Sequence, residues 1–334
     1  MTGHRFRWPD VNKILASAVD RRLKLSTTEG ILPVNGNATT QSNFDFRTGR
    51  ETAITAARFS EGDRAACSAL NRQRAKGIQE AARQAPSRQS FTPDVWAALV
   101  AKRSREWGVP LIRLDGLGLV RDPDAILSAR FMSPLKTGAE ASPFADTDWQ
   151  VVYKLFPLHA SGGLGKTFEI EPCPDGQGFE MTVRDAVLIE TMEKLIVLHD
   201  AGAHPTELVG IDEQGDYLVV KQPLAYPYQD LDEDRLIALE RIRAVPCRAR
   251  FRRTVWILWE HEQAWVLSDL HPGNIMRDAD DQPTIIDALL SPLPPALIQS
   301  DRLLAEDVED ARALREDRPP VTRDVFALIS DDDL

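Results

Sequence analysis

Cysteine is scarce in this chain. Three occur in 334 residues, Cys67, Cys173 and Cys247. They are far apart, odd in number and in no metal-binding spacing, which excludes a disulfide scaffold and a cysteine zinc site. They read as reduced thiols, and the expectation is a cytoplasmic protein. Long hydrophobic runs are also missing. No apolar stretch approaches the roughly 20 residues that a membrane span needs, and the opening MTGHRFRWPD has no apolar signal core. No membrane partner is expected. No internal repeat is found, and large apolar residues are few between positions 35 and 60, which read as a long loop.

What is present is ordinary globular composition, 43% apolar and 27% charged. The length suits two domains, or one domain with a sizeable extension. Net charge is −11, unevenly spread. Residues 1–107 hold 18 Lys+Arg and 10 Asp+Glu, a balance of +8, so the totals of 40 and 51 leave a balance of −19 for residues 108–334. A basic first part could touch nucleic acid or an acidic partner, and an acidic second part would repel both. The plainer reading is a set of helices with solvated arginine faces.

Along the chain, residues 9–24 read as a helix with Val11, Ile14, Leu15 and Val19 on one face. Residues 61–84 read as a second helix, and a third starts at Thr92-Pro93 and ends near Gly108. From there the pattern changes to short strands, and a domain boundary is placed near 108–125. Residues 148–156, DWQVVYKLF, read as a strand that carries Lys154. A lysine there either snorkels to solvent or meets an anion. The run Ala160–Thr167 imitates a P-loop, but its first glycine is replaced by Ala160, and Phe168–Pro174 is a poor helix former, so it reads as an insertion. Residues 182–200 read as a helix. Leu208–Ile211 and Tyr217–Val220 read as a hairpin, 232–243 as a short helix, and Thr254–Trp259 with Ala264–Leu267 as a second hairpin. A last, polar helix lies near 300–316.

The chemistry concentrates in residues 265–287, WVLSDLHPGNIMRDADDQPTIID. An apolar strand, Trp265–Leu267, leads to Asp269, with Asn274 five residues later. An Asp-rich turn (Asp278, Asp280, Asp281) leads to a second strand, Ile285-Ile286, and to Asp287. The two strands are expected to form a hairpin-like unit that gathers two carboxylates and one carboxamide at one end. Such oxygen donors suit Mg²⁺ and its phosphates. The Asp-to-Asn spacing is that of the kinase catalytic loop, where the Asp takes the acceptor proton and the Asn binds Mg²⁺.

Asp269-Leu270-His271-Pro272-Gly273-Asn274 resembles the D-x-H-x-x-N loop of the aminoglycoside-phosphotransferase-like branch of the protein-kinase-like superfamily. Over roughly residues 125–295 the chain is most similar to the polyvalent protein kinase domain of phage and mobile-element proteins. The resemblance implies an α+β, two-lobed protein-kinase-like fold with a reduced C-terminal lobe. A helical N-terminal extension (1–107) would precede a kinase-like domain (108–300, first lobe to about 222), and an acidic helix and tail (301–334) would follow it. Asp287 would stand for the DFG aspartate, although Ala288-Leu289 follow it. Lys154 would hold the α/β-phosphates of ATP, and the 182–200 helix would offer a glutamate to set it. Glu193 is favoured over Glu190, because Ile196 and Val197 follow it at i+3 and i+4. Thr137–Ala141, with Gly138 and Glu140, resembles the nucleotide-covering turn, and Lys221–Leu224, with Gln222 and Leu224, the adenine-binding hinge. His271 would either fix Asp269 or contact phosphate.

The cofactors implied are ATP and Mg²⁺. Three functions compete: a protein Ser/Thr kinase of mobile-element type, a small-molecule kinase, and a non-catalytic pseudokinase binding module. A small-molecule kinase of this branch would bind a cationic substrate, to which Asp230, Asp232, Glu233 and Asp234 are candidates. The sequence leaves open the acceptor, the role of residues 1–107 and the oligomeric state.

Overall fold

The computed structural model describes residues 61–84, 102, 108, 110–121, 127–135, 140–158 and 165–321. The helix expected at 9–24, the loop at 35–60, nearly all of the helix expected from Thr92, and Gly138 lie outside the described residues. The chain divides into two compact units, Met1–Asp45 and Phe46–Leu334, and everything below concerns the second. It is a mixed α+β structure.

A six-stranded sheet is built from β1 (Leu111–Ile112), β4 (Ser133–Pro134), β5 (Ser142–Asp146), β6 (Val151–Pro157), β9 (Glu207–Asp212) and β10 (Tyr217–Pro223), in the order β1-β9-β10-β6-β5-β4. All its pairs are antiparallel except β1 with β9. A separate hairpin joins β2 (Leu119–Arg121) to β3 (Leu127–Ala129). Side chains alternate across a strand, and β6 obeys that rule: Val151, Tyr153 and Leu155 enter one apolar cluster, while Phe156 enters the cluster on the opposite face. Lys154 therefore lies on the Phe156 face.

That face is covered by helices α1 (Glu61–Gln84) and α2 (Leu188–Ala201), whose Ala75, Ile78, Met192, Leu195 and Ile196 pack on Leu208, Leu218 and Val220. Helix α1, expected within a separate basic region, is thus built onto the sheet. Its arginines serve as connectors. Arg64 donates to the carbonyls of His199 and Ala203, Arg72 pairs with Asp200, and Arg74 with Glu207. Asn71 bridges Thr206 O and Leu208 N at 2.7 and 2.8 Å.

Of the stretch read as an insertion, residues 160–164 lie outside the described residues, and Lys166-Thr167 at its end already belong to a strand. Residues Lys166–Pro172 (β7) pair with Phe179–Asp185 (β8). The helix expected to begin at 182 therefore begins at Leu188: Thr182 and Arg184 are held in register opposite Glu169 and Thr167, and Arg184 bonds Glu169. Glu190 closes the helix start by accepting from Val187 N at 2.9 Å. The β7–β8 turn needs glycine at 178. Its φ is +93°, and a Cβ there would lie 2.0 Å from Arg250 O.

Beyond the large sheet, α3 (Leu231–Arg241) is capped by Asp230, which accepts from Asp232 N and Glu233 N. A four-stranded sheet runs β12 (Val245–Pro246), β13 (Trp256–Glu260), β14 (Gln263–Ser268) and β17 (Leu289–Pro292). Between β14 and β17 the chain makes β15 (Ile275–Arg277) and β16 (Pro283–Ile285), which form a small sheet with the earlier strand β11 (Tyr226–Pro227). This corrects the hairpin expected at the catalytic stretch. The apolar strand before Asp269 pairs with β17, and the strand before Asp287 pairs instead with β15, whose Ile275 faces Ile285. Helices α4 (Pro295–Ser300) and α5 (Arg302–Arg315) close the far side, and α5 is less polar than its sequence looks, since Leu304, Val308 and Ala311 are buried against Val245 and Ile257.

Candidate functional site

The site forms where the Lys154 face of the large sheet meets the β15–β16 hairpin. Lys154 enters from β6, lies 3.4 Å from the carbonyl of Ile286 and 3.9 Å from the Asp287 carboxylate. The strand lysine does not snorkel; it meets an anion.

The loop 269–274 holds itself in shape. Asp269 sits at φ +67°, a left-handed conformation that Asp tolerates better than most residues. Asn274 donates from Nδ2 to Asp269 O at 2.7 Å, which ties the two ends of the motif and leaves Oδ1 as the carboxamide's available acceptor. The Gly273 N–H donates to His271 Nδ1 at 2.9 Å, and that fixes the ring with its proton on Nε2, 4.0 Å from Asp269 Oδ2. The geometry favours the fixing role for His271. Gly273 allows this closeness, because a Cβ there would lie 2.7 Å from His271 Cε1. One residue beyond the strand pairing, Ile286 N donates to Asn274 O at 3.1 Å. The residue before Asp287 is thereby tied to Asn274.

The structure does not bring either expected glutamate to Lys154. Glu190 forms a two-pronged pair with Arg184 at 2.5 and 2.9 Å, which lowers its pKa. Glu193 is exposed and forms no ion pair among the described residues. Residues 194–199 of α2 are buried without a break, so its inward arc is too wide for the i+3/i+4 neighbours of Glu193 to locate a face.

The residue that α2 does supply is Lys194, overlooked in the sequence. Its ammonium lies 2.6 Å from Glu140 Oε2 and 3.7 Å from Asp287 Oδ1, and its side chain is only 3% exposed. Burial alone would discharge it, but the Asp287 and Glu140 carboxylates outweigh that and raise its pKa. Glu140 also accepts from Lys166 N at 2.8 Å. The turn expected to cover nucleotide thus contributes a carboxylate aimed at α2. A signal for Lys194 existed: it lies three residues after Thr191 and four before Leu198, on the buried side of an apolar helix.

The expected hinge is largely occupied by the protein itself. Gln222 is buried and donates to Thr206 Oγ1 at 2.8 Å, and Leu224 N donates to Gln150 O at 2.7 Å. Pro223 O bonds His204 Nε2 at 2.9 Å, while His204 N donates to Ile285 O at 3.0 Å. His204 therefore links the Gln222–Leu224 segment to the β15–β16 hairpin, and nothing in its sequence neighbourhood marks it out. Of the acidic residues considered for a cationic substrate, Asp230 caps α3 and Asp234 is bound by Arg277 at 2.5 and 2.9 Å. Both are therefore engaged within the fold.

Among the described residues no group of three or more His, Cys, Asp or Glu gathers closely enough to hold a metal ion. No family model, curated protein or solved structure matches this chain.

Proposed function

We propose that this protein is an ATP- and Mg²⁺-dependent phosphotransferase with a two-lobed, kinase-like division of labour, acting on Ser/Thr hydroxyls of a protein. One observation carries the reading. Lys154 and Asp287, remote in sequence, meet at 3.9 Å, and Asp287 follows a residue hydrogen-bonded to Asn274 at the end of the loop begun by Asp269. Asp269 would orient the acceptor hydroxyl and take its proton. Asp287 and Asn274 Oδ1 would hold Mg²⁺, which commonly takes one or two protein oxygens and completes its shell with phosphate and water. The ion would neutralise charge on the transferring phosphoryl group. Lys154 would bind the phosphates once their charge draws it from Asp287. Positioning and charge stabilisation dominate such chemistry.

The experiment incubates the purified chain with labelled ATP, Mg²⁺ and a generic protein acceptor, beside Asp269→Asn. Transfer to protein, reduced about 10²–10⁴-fold in the variant, supports the reading. Label confined to an added small alcohol moves the protein to the small-molecule kinases. The occupied Leu224 N–H and the missing glutamate beside Lys154 favour a second reading, a nucleotide-binding module, and binding without transfer would establish it. No nucleotide binding at all ends both.

A further inference from the structure

The charge arrangement around Asp287 is the reverse of the one that the sequence led us to expect. The helix brings an amine and the turn before β5 brings the carboxylate. We propose that Lys194 is a positioning residue, whose buried ammonium, anchored by Glu140, fixes the Asp287 carboxylate for cation binding and leaves Lys154 to the phosphates. The nucleotide part of this inference rests on the phosphotransferase reading; the electrostatic part does not.

Lys194 is too enclosed to act as a freely moving phosphate ligand, and it has a strong fixed partner. Glu140 accepts both its ammonium at 2.6 Å and the backbone N–H of Lys166 at 2.8 Å. The backbone makes room for that anchor at Gly165, where φ is +137° and a Cβ would lie 3.0 Å from Glu140 Oε2. The ammonium that Glu140 holds stands 3.7 Å from Asp287 Oδ1, while Lys154 stands 3.9 Å from Oδ2. Each carboxylate oxygen thus faces its own cation. Two ammonium groups and two carboxylates balance, so the four groups form a neutral set. When Lys154 turns to phosphate, Lys194 remains and keeps Asp287 from rotating. The four groups come from three elements and one turn, so α2, β6 and the segment after β16 are set relative to one another through a single carboxylate.

The first test is independent of nucleotide. A double-mutant cycle of Lys194→Met and Asp287→Asn is read by thermal unfolding. We expect a non-additive shift, with the second substitution nearly silent once the first is made; additive shifts overturn the proposal. Should Lys194→Met fail to fold, Lys194→Gln, which also removes the charge, enters the same cycle and is read by the same criterion.

The second test compares Lys194→Arg with the exchanged pair Glu140→Lys/Lys194→Glu in MgATP binding and turnover. The exchange re-forms the ion pair but turns a carboxylate toward Asp287. We expect the arginine variant to stay within about tenfold of wild type. We expect the exchanged protein to fold yet lose on the order of 10²-fold in turnover, the usual penalty for displacing a reacting group by about 1 Å. Recovery of both folding and turnover in the exchanged protein would mean a merely structural pair and would sink the idea. If the wild type binds no MgATP, the phosphotransferase reading falls, while the cycle still decides whether Lys194 sets Asp287.

Discussion

Gly273 and His271 show how closely the shape of the 269–274 loop depends on a side chain's absence. The imidazole accepts from the glycine's own N–H and holds its opposite nitrogen toward Asp269. In Gly273→Ala the new methyl group, 2.7 Å from the ring, would swing His271 out and let Asp269 turn. On the phosphotransferase proposal, turnover should fall on the order of 10²-fold, with an unfolding temperature close to wild type, since both side chains are about half exposed. A combined kinetic and calorimetric comparison checks this. The loop was legible because its residues lie within six positions, and local spacing fixes local geometry. Lys194 was not legible as a site residue. Its partners come from Glu140 and Asp287, and nothing in the helix sequence says which distant carboxylate will arrive.

Elements were read best where a period or a cap is local. Helix α3 was expected at 232–243 and lies at Leu231–Arg241, with Asp230 as its cap; the hairpin expected from Thr254–Trp259 and Ala264–Leu267 forms from Trp256–Glu260 and Gln263–Ser268, with Trp256 opposite Leu267. The start of α2 was misplaced by several residues, because a strand partner outweighed the helical pattern of Thr182–Asp185. The docking of α1 on α2 and β9 could not be read either. Its arginines looked like a solvated basic face, yet Arg74 neutralises Glu207, whose side chain is 1% exposed. Arg74→Ala would leave that carboxylate buried without its cation, at a cost of about 3–5 kcal/mol. Urea denaturation should show the lowered midpoint with an unchanged slope. Leu218→Ala, in the apolar layer beneath both helices, should cost about 2–5 kcal/mol by the same measurement.

For the molecule as a whole, buried histidines set the acid limit. His199 and His204 are both pushed down from 6.5 to about 4, burial being the main cause. His199 accepts from Thr206 N and bonds Arg64 O, and His204 Nδ1 is buried without a partner, so neither welcomes a second proton. The unfolded chain takes those protons near pH 6.5 and the folded one only near 4. Their contribution to stability is intact above 6.5 and lost as pH falls toward 4. His261 works in the opposite direction. Its bond to Asp200 raises its pKa, so its contribution is complete below 6.5 and disappears as pH rises through the raised value. Unfolding temperature measured across pH should fall on the acid side, and His261→Gln should flatten the alkaline side alone.

The passage from the large sheet to the 269–274 loop leads through β11, whose Tyr226 and Pro227 are rungs opposite Arg277 and Met276. A slack tether would let the large sheet and the β15–β16 hairpin drift apart. A laddered one resists such drift. If the phosphotransferase proposal holds, nucleotide would enter by small adjustments about the Tyr226–Arg277 rungs and not by a wide opening.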